Sequence, residues 1–130
     1  MRGAKADDAF PDFIASTEMD KVQAVVDFVN LMTYDFRTSD PIAGHHANLY
    51  LHPADTKQRS VDSAVREFIA AGVPPAKIVV GVPFYGRAWA DIKGEGTGLY
   101  QPGSPPAEPI ETKYGPMSTT LIDRGARLSA

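Results

Sequence analysis

The chain has 130 residues, a size that fits one domain or a piece of a larger one. At 43% hydrophobic and 22% charged it has an ordinary globular composition with material for a core. A formal charge of −3 leaves no footprint for nucleic acid or an anionic membrane, and no apolar run approaches the ~20 residues that span a bilayer.

Zero cysteines exclude disulfides and thiolate metal sites and leave the compartment open. Residues 1–12 are polar and unpatterned, carry a Phe10-Pro11 turn signal, and read as a frayed leader without the apolar centre of a secretory signal. Ser16 or Thr17 can cap a short helix, with Glu18 and Asp20 in its first turn, that ends near Ala24. Val25 to Met32 is an apolar run interrupted by Asp27 and Asn30, and it suits a strand buried on both faces. A loop rich in Asp, Pro, Gly and His follows from Phe36 to Arg59.

Ser60 is a good N-cap for the next helix. Val61, Ala64, Val65, Phe68 and Ile69 then recur at helical spacing and make one apolar stripe. Gly72 ends that helix and Pro74-Pro75 prevent its continuation. Lys77 to Pro83 supplies a second buried strand through Ile78, Val79, Val80 and Val82. Strand, helix, strand is a βαβ unit, which demands a parallel pair, and the chemistry of such units lies at the carboxyl edges of the strands. Past Trp89 the composition shifts. Residues 90–117 are rich in Gly and Pro and read as short strands and loops opening a second subdomain, with one short helix possible from Met117 onward. Two strands do not make a covered parallel sheet, so the predicted fold is α/β, one part of a larger architecture.

Two stretches carry candidate chemistry. Met32-Thr33-Tyr34-Asp35 closes the first strand, where a phenol and a carboxylate can both hydrogen-bond a polar ligand. The alternative is a packed Tyr34 and an Asp35 that caps the loop. Gly81-Val82-Pro83-Phe84-Tyr85-Gly86-Arg87-Ala88-Trp89 closes the second strand. Here Gly81 allows close packing, Arg87 presents a planar fork of donors, and Tyr85 and Trp89 offer flat apolar faces with a polar tip, as sugar rings require. Aromatics that close the core are the alternative.

Together these stretches resemble family 18 glycoside hydrolases, the chitinases and their relatives. Val26 to Phe36 is similar to that family's sixth barrel strand with its Met-x-Tyr-Asp signature, and Lys77 to Arg87 to the seventh. Thr17 to Gln23 resembles the preceding helix, Gly44-His45-His46-Ala47 the loop after strand six, and Gly98-Leu99-Tyr100-Gln101 the opening of an α+β insertion after strand seven. The resemblance covers roughly residues 8–120. It implies part of a (β/α)₈ TIM barrel over 1–89, the start of the insertion subdomain over 90–130, and chitin or chito-oligosaccharide as the ligand. It also implies substrate-assisted cleavage, in which a glutamic acid protonates the leaving oxygen while the substrate's acetamido oxygen attacks the anomeric carbon. Tyr34 would hold that acetamido group and Asp35 would contact the sugar and tune the local field. Met32 would floor the reacting sugar, and Tyr85, Arg87 and Trp89 would line the groove. A secreted parent enzyme is implied as well.

The family's Asp-x-x-Asp-x-Asp-x-Glu motif does not occur in these residues. Glu18, Glu67, Glu95, Glu108 and Glu111 are the glutamates present, and none sits in that context. The expectation is therefore that the chain alone hydrolyses no chitin, and that binding without cleavage, as a lectin, is the second reading. Self-association through open sheet edges is a third. No cofactor is expected. His45, His46, His52 and Asp55 lack metal-ligand spacing, Gly94-x-Gly96-x-Gly98 opens no helix, and no Gly-x-Ser-x-Gly turn exists.

Overall fold

A computed structural model describes residues 10–38, 40–94, 96–107 and 113. The leader before Phe10, Glu95, Glu108, Glu111 and the helix expected from Met117 onward lie outside the described residues. The chain divides into two compact units, Met1–Thr38 with Gly44–Val82 and Ser39–Ala43 with Pro83–Ala130. Phe84 to Trp89 therefore belong with the Gly- and Pro-rich segment rather than with the strands before them.

In the first unit, helix α1 spans Phe10–Ser16 and helix α2 spans Met19–Val25. The end of the leader is thus helical and not frayed. Pro11 falls in the first turn of α1, where a missing N–H costs the helix nothing, so the Phe10-Pro11 pair signals a start and not a break. Glu18, not Ser16 or Thr17, is the N-cap of α2, and its side chain makes no capping bond. Lys77 Nζ closes the other end of α2, donating to the carbonyls of Gln23 at 2.5 Å and Val26 at 3.0 Å. A cation at a helix C-terminus satisfies orphan carbonyls and complements the dipole.

Strand β1 (Val29–Leu31) is shorter than the apolar run suggests, because Val25 is consumed by α2 and Phe28 is exposed. Helix α3 runs Val61–Ala70 from a capping box in which Ser60 and Ser63 exchange backbone and side-chain bonds. The loop before it supplies more partners: Asn48 and Leu49 carbonyls accept from the Val61 and Asp62 N–H groups at 2.9 and 3.0 Å. Ala64 and Phe68 of the apolar stripe are buried, whereas Ile69 is exposed at the rim. Gly72 ends the helix at φ +94°, a conformation that favours glycine, and an added Cβ would stand 3.1 Å from Asp20 Cβ at the start of α2. A 3₁₀ turn over Pro75–Lys77 leads into β2 (Ile78–Val80).

The two strands pair in parallel, with Val29 opposite Ile78, Asn30 opposite Val79 and Leu31 opposite Val80. The core lies on one face of this pair and comprises Met19, Leu31, Phe36, Ala64, Phe68 and Val73, with Phe13 tilted against Phe68 at 6.4 Å between ring centroids. The expectation of strands buried on both faces is corrected. Asn30 and Val79 on the opposite face are exposed, as are Val80 and Val82. In the second unit, antiparallel bridges join Ile42 to Pro102, Ala90 to Ser104 and Tyr85 to Lys113, and no longer strand forms among its described residues.

Candidate functional site

Beyond Leu31 the chain continues in strand-like alternation for three residues. Thr33 turns inward and is fully buried, while Met32 and Tyr34 point to the other side and are half-buried. The Tyr34 ring lies over Gly81, so that a Cβ built there would meet Tyr34 Cε1 at 3.0 Å and the Leu31 carbonyl oxygen at 2.7 Å. That is the close approach for which a glycine is needed one residue past β2.

Asp35 then leaves the strand direction with φ +60°, a left-handed conformation that an aspartate tolerates better than most residues. Its carboxylate stands 3.8 Å from His46 Nδ1, and both side chains are half-buried. The turn is held from below. The Phe36 N–H donates to the His46 carbonyl at 3.0 Å, and the Phe36 ring enters the core. Arg37 and Asp55, exposed by only 2% and 1%, form a buried ion pair at 2.5 Å. Asp55 Oδ1 also accepts from the Lys57 N–H at 2.9 Å, so this carboxylate organises the loop that Arg37 grips.

The candidate residues of the second unit have their own arrangement. The Arg87 guanidinium sits over the Tyr85 ring, 5.1 Å from its centroid, a cation–π geometry that leaves Arg87 exposed and Tyr85 half-buried. Trp89 is half-buried, and its indole N–H donates to the Asp40 carbonyl at 2.8 Å. The polar tip of Trp89 is thus used within the protein, and what it can offer a ligand is its flat face.

Sequence reading picked out Met32, Tyr34 and Asp35 but passed over the groups that fix them. Thr33, His46, Arg37 and Asp55 lie in no periodic pattern, and the Arg37–Asp55 pair joins residues 18 apart along an irregular loop. The histidine-rich loop is occupied with folding. His52 Nδ1 accepts from the Ala54 N–H at 3.1 Å and Asp55 is paired with Arg37. Among the described residues no group of three or more His, Cys, Asp or Glu could hold a metal ion.

Residues 4–124 match the profile of the Glycosyl hydrolases family 18. Chitinase A1 of Niallia circulans is 40% identical over 104 residues, which are 74% of this chain and 15% of that protein. Chitotriosidase-1 of Mus musculus is 33% identical over 73% of this chain and 21% of its own length. The chain therefore spans about a fifth or less of these two relatives. Among solved structures, a family 18 N-acetylglucosaminidase from Paenibacillus barengoltzii superposes with TM-score 0.72 at 43% identity, over 93% of this chain and 34% of that one. Chitinase ChiW from Paenibacillus sp. str. FPU-7 superposes with TM-score 0.80 at 31% identity, over 90% and 14%. The βαβ unit is one portion of the TIM barrel of these proteins. The chain belongs to the family 18 glycosyl hydrolases.

Proposed function

We propose that this chain is the sugar-contacting late part of a barrel that cleaves β-1,4-linked N-acetylglucosamine polymers, without the acid that performs the cleavage. The observation that carries this reading is Tyr34, set just beyond the carboxyl end of a parallel strand with its ring braced on Gly81, in a chain whose relatives are chitinases. A phenol there can donate to the acetamido carbonyl of a bound sugar and hold it for attack on the anomeric carbon. Asp35 contacts the same sugar and Met32 floors it, and in the second unit Tyr85, Arg87 and the face of Trp89 are the substrate-binding groups. Residues 90–130 open the family's insertion subdomain. Support for the ligand class comes from a relative in this fold, the Ostrinia furnacalis Group II chitinase catalytic domain 2. It was solved in complex with penta-N-acetylchitooctaose and is 33% identical over 78% of this chain.

Hydrolysis needs a general acid, which commonly supplies ~10²–10⁴ in rate. None of the glutamates of these 130 residues stands in the family's catalytic motif. The purified chain is expected to release no product from chito-oligosaccharides above background. Turnover that Tyr34→Phe abolishes would contradict the missing-acid reading. The same absence favours a second reading, a module that binds chito-oligosaccharides without cleaving them. We also propose that the chain pairs with copies of itself through its exposed sheet edges. Light scattering across a concentration series is expected to show a rising mass, and a concentration-independent monomer would refute that pairing.

A further inference from the structure

Thr33 stands between two residues to which the function assigns roles, and its side chain points away from both. It is fully buried, and its hydroxyl donates to the Gly81 carbonyl at 2.8 Å. The Gly81 N–H in turn donates to the Leu31 carbonyl at 2.8 Å. Both backbone groups of Gly81 are thereby taken by the end of β1, although Gly81 lies beyond the last paired residue of β2. The Tyr34 ring rests on the surface these bonds hold in place, at 3.0 Å from the Cβ position that glycine leaves empty. A buried hydroxyl is costly unless it is bonded, and valine would fill the same volume without that cost. The hydroxyl is therefore accounted for by its bond to Gly81.

We propose that Thr33 is a positioning residue. Its hydroxyl clasps Gly81 to the end of β1 and so fixes the platform that sets the orientation of the Tyr34 ring. The functional consequence rests on the reading of Tyr34 as the acetamido-holding group; the clasp itself does not.

The test uses the full chain with ¹³C-labelled tyrosine rings, the Tyr34 signals being identified by their loss in Tyr34→Phe. In Thr33→Val the Tyr34 ring resonances are expected to move and the Gly81 amide to exchange about tenfold faster, the effect of about one net hydrogen bond. Thr33→Ser keeps the hydroxyl and is expected to hold the ring resonances near their original positions. Titration with N-acetylchitohexaose is expected to show binding about tenfold weaker for Thr33→Val and within about threefold of the original for Thr33→Ser. Unmoved ring resonances in Thr33→Val would overturn the clasp. So would a Thr33→Ser variant whose Tyr34 ring resonances leave their original positions, a comparison with the original chain that stands even if the valine variant folds poorly. If Thr33→Val moves the ring but Tyr34→Phe binds the sugar as the original chain does, the clasp holds and the reading of Tyr34 fails.

Discussion

The two faces of the β1–β2 pair meet different fates. On one face Leu31 is 2% exposed and packs with Phe68 at 1%, under helices that cover it. On the other, Val79 is 47% exposed beside the exposed Asn30. A strand facing water on one side ordinarily alternates apolar and polar residues, whereas Ile78, Val79 and Val80 do not alternate. The apolar run of β2 therefore suits a sheet covered on both sides, as in the TIM barrel of its family, while the described residues cover one.

Substitutions on the two faces give the largest contrast. Phe68→Ala is expected to cost ~3–5 kcal/mol, as for other large aromatic truncations in cores. Val79→Thr, on the open face, is expected to stay within about 0.5 kcal/mol. Urea unfolding followed by circular dichroism checks both, and equal losses would break the comparison. The buried ion pair of the loop after β1 gives a second contrast. Arg37→Met leaves Asp55 buried without its cation and is expected to cost ~3–5 kcal/mol, much of it recovered when Asp55→Leu is added. A double variant no better than the single one would show that the loop needs the charges themselves.

Smaller effects follow at the helix that does the covering. Ser60→Ala removes half of the capping box and is expected to cost ~1 kcal/mol by the same unfolding measurement. Glu67 on α3 has its pKa raised above the usual carboxylate value by burial, against a smaller lowering influence from Arg59. Between its unfolded and its raised folded value the native state holds more protons than the unfolded state. Stability therefore falls as pH rises through that window, and the penalty is absent below the unfolded value. Glu67→Gln is expected to flatten this part of the pH profile and to raise stability slightly at neutral pH. A profile unchanged by the substitution would show that Glu67 is solvated in the folded chain.

The helix α3, its Ser60 cap, its end at Gly72 and the parallel partnership of the two strands were legible in the sequence because each rests on local patterning or on a chain-connection rule. What was not legible depends on contacts between distant residues. Helix α1 is hidden because Phe10-Pro11 is a turn signal, although proline suits a first turn of helix equally well. Ile69 fits the apolar stripe by spacing, yet lies exposed at the rim, a matter of packing between elements that spacing does not carry. At the site, the positions of Tyr34 and Asp35 could be named from the Met-Thr-Tyr-Asp run. The Thr33 bond to Gly81 and the Arg37–Asp55 pair span 48 and 18 residues, and no periodicity announces them.

On the proposed function, the end of β1 and not the open apolar face is expected to meet the sugar. A calorimetric titration of the full chain with N-acetylchitohexaose tests it most directly, run beside Tyr34→Phe and Val79→Thr. Saturable binding is expected, weakened about tenfold by Tyr34→Phe, the effect of about one lost hydrogen bond to a ligand, and left unchanged by Val79→Thr. Binding that ignores Tyr34→Phe and falls with Val79→Thr, or no saturable binding at all, would contradict it.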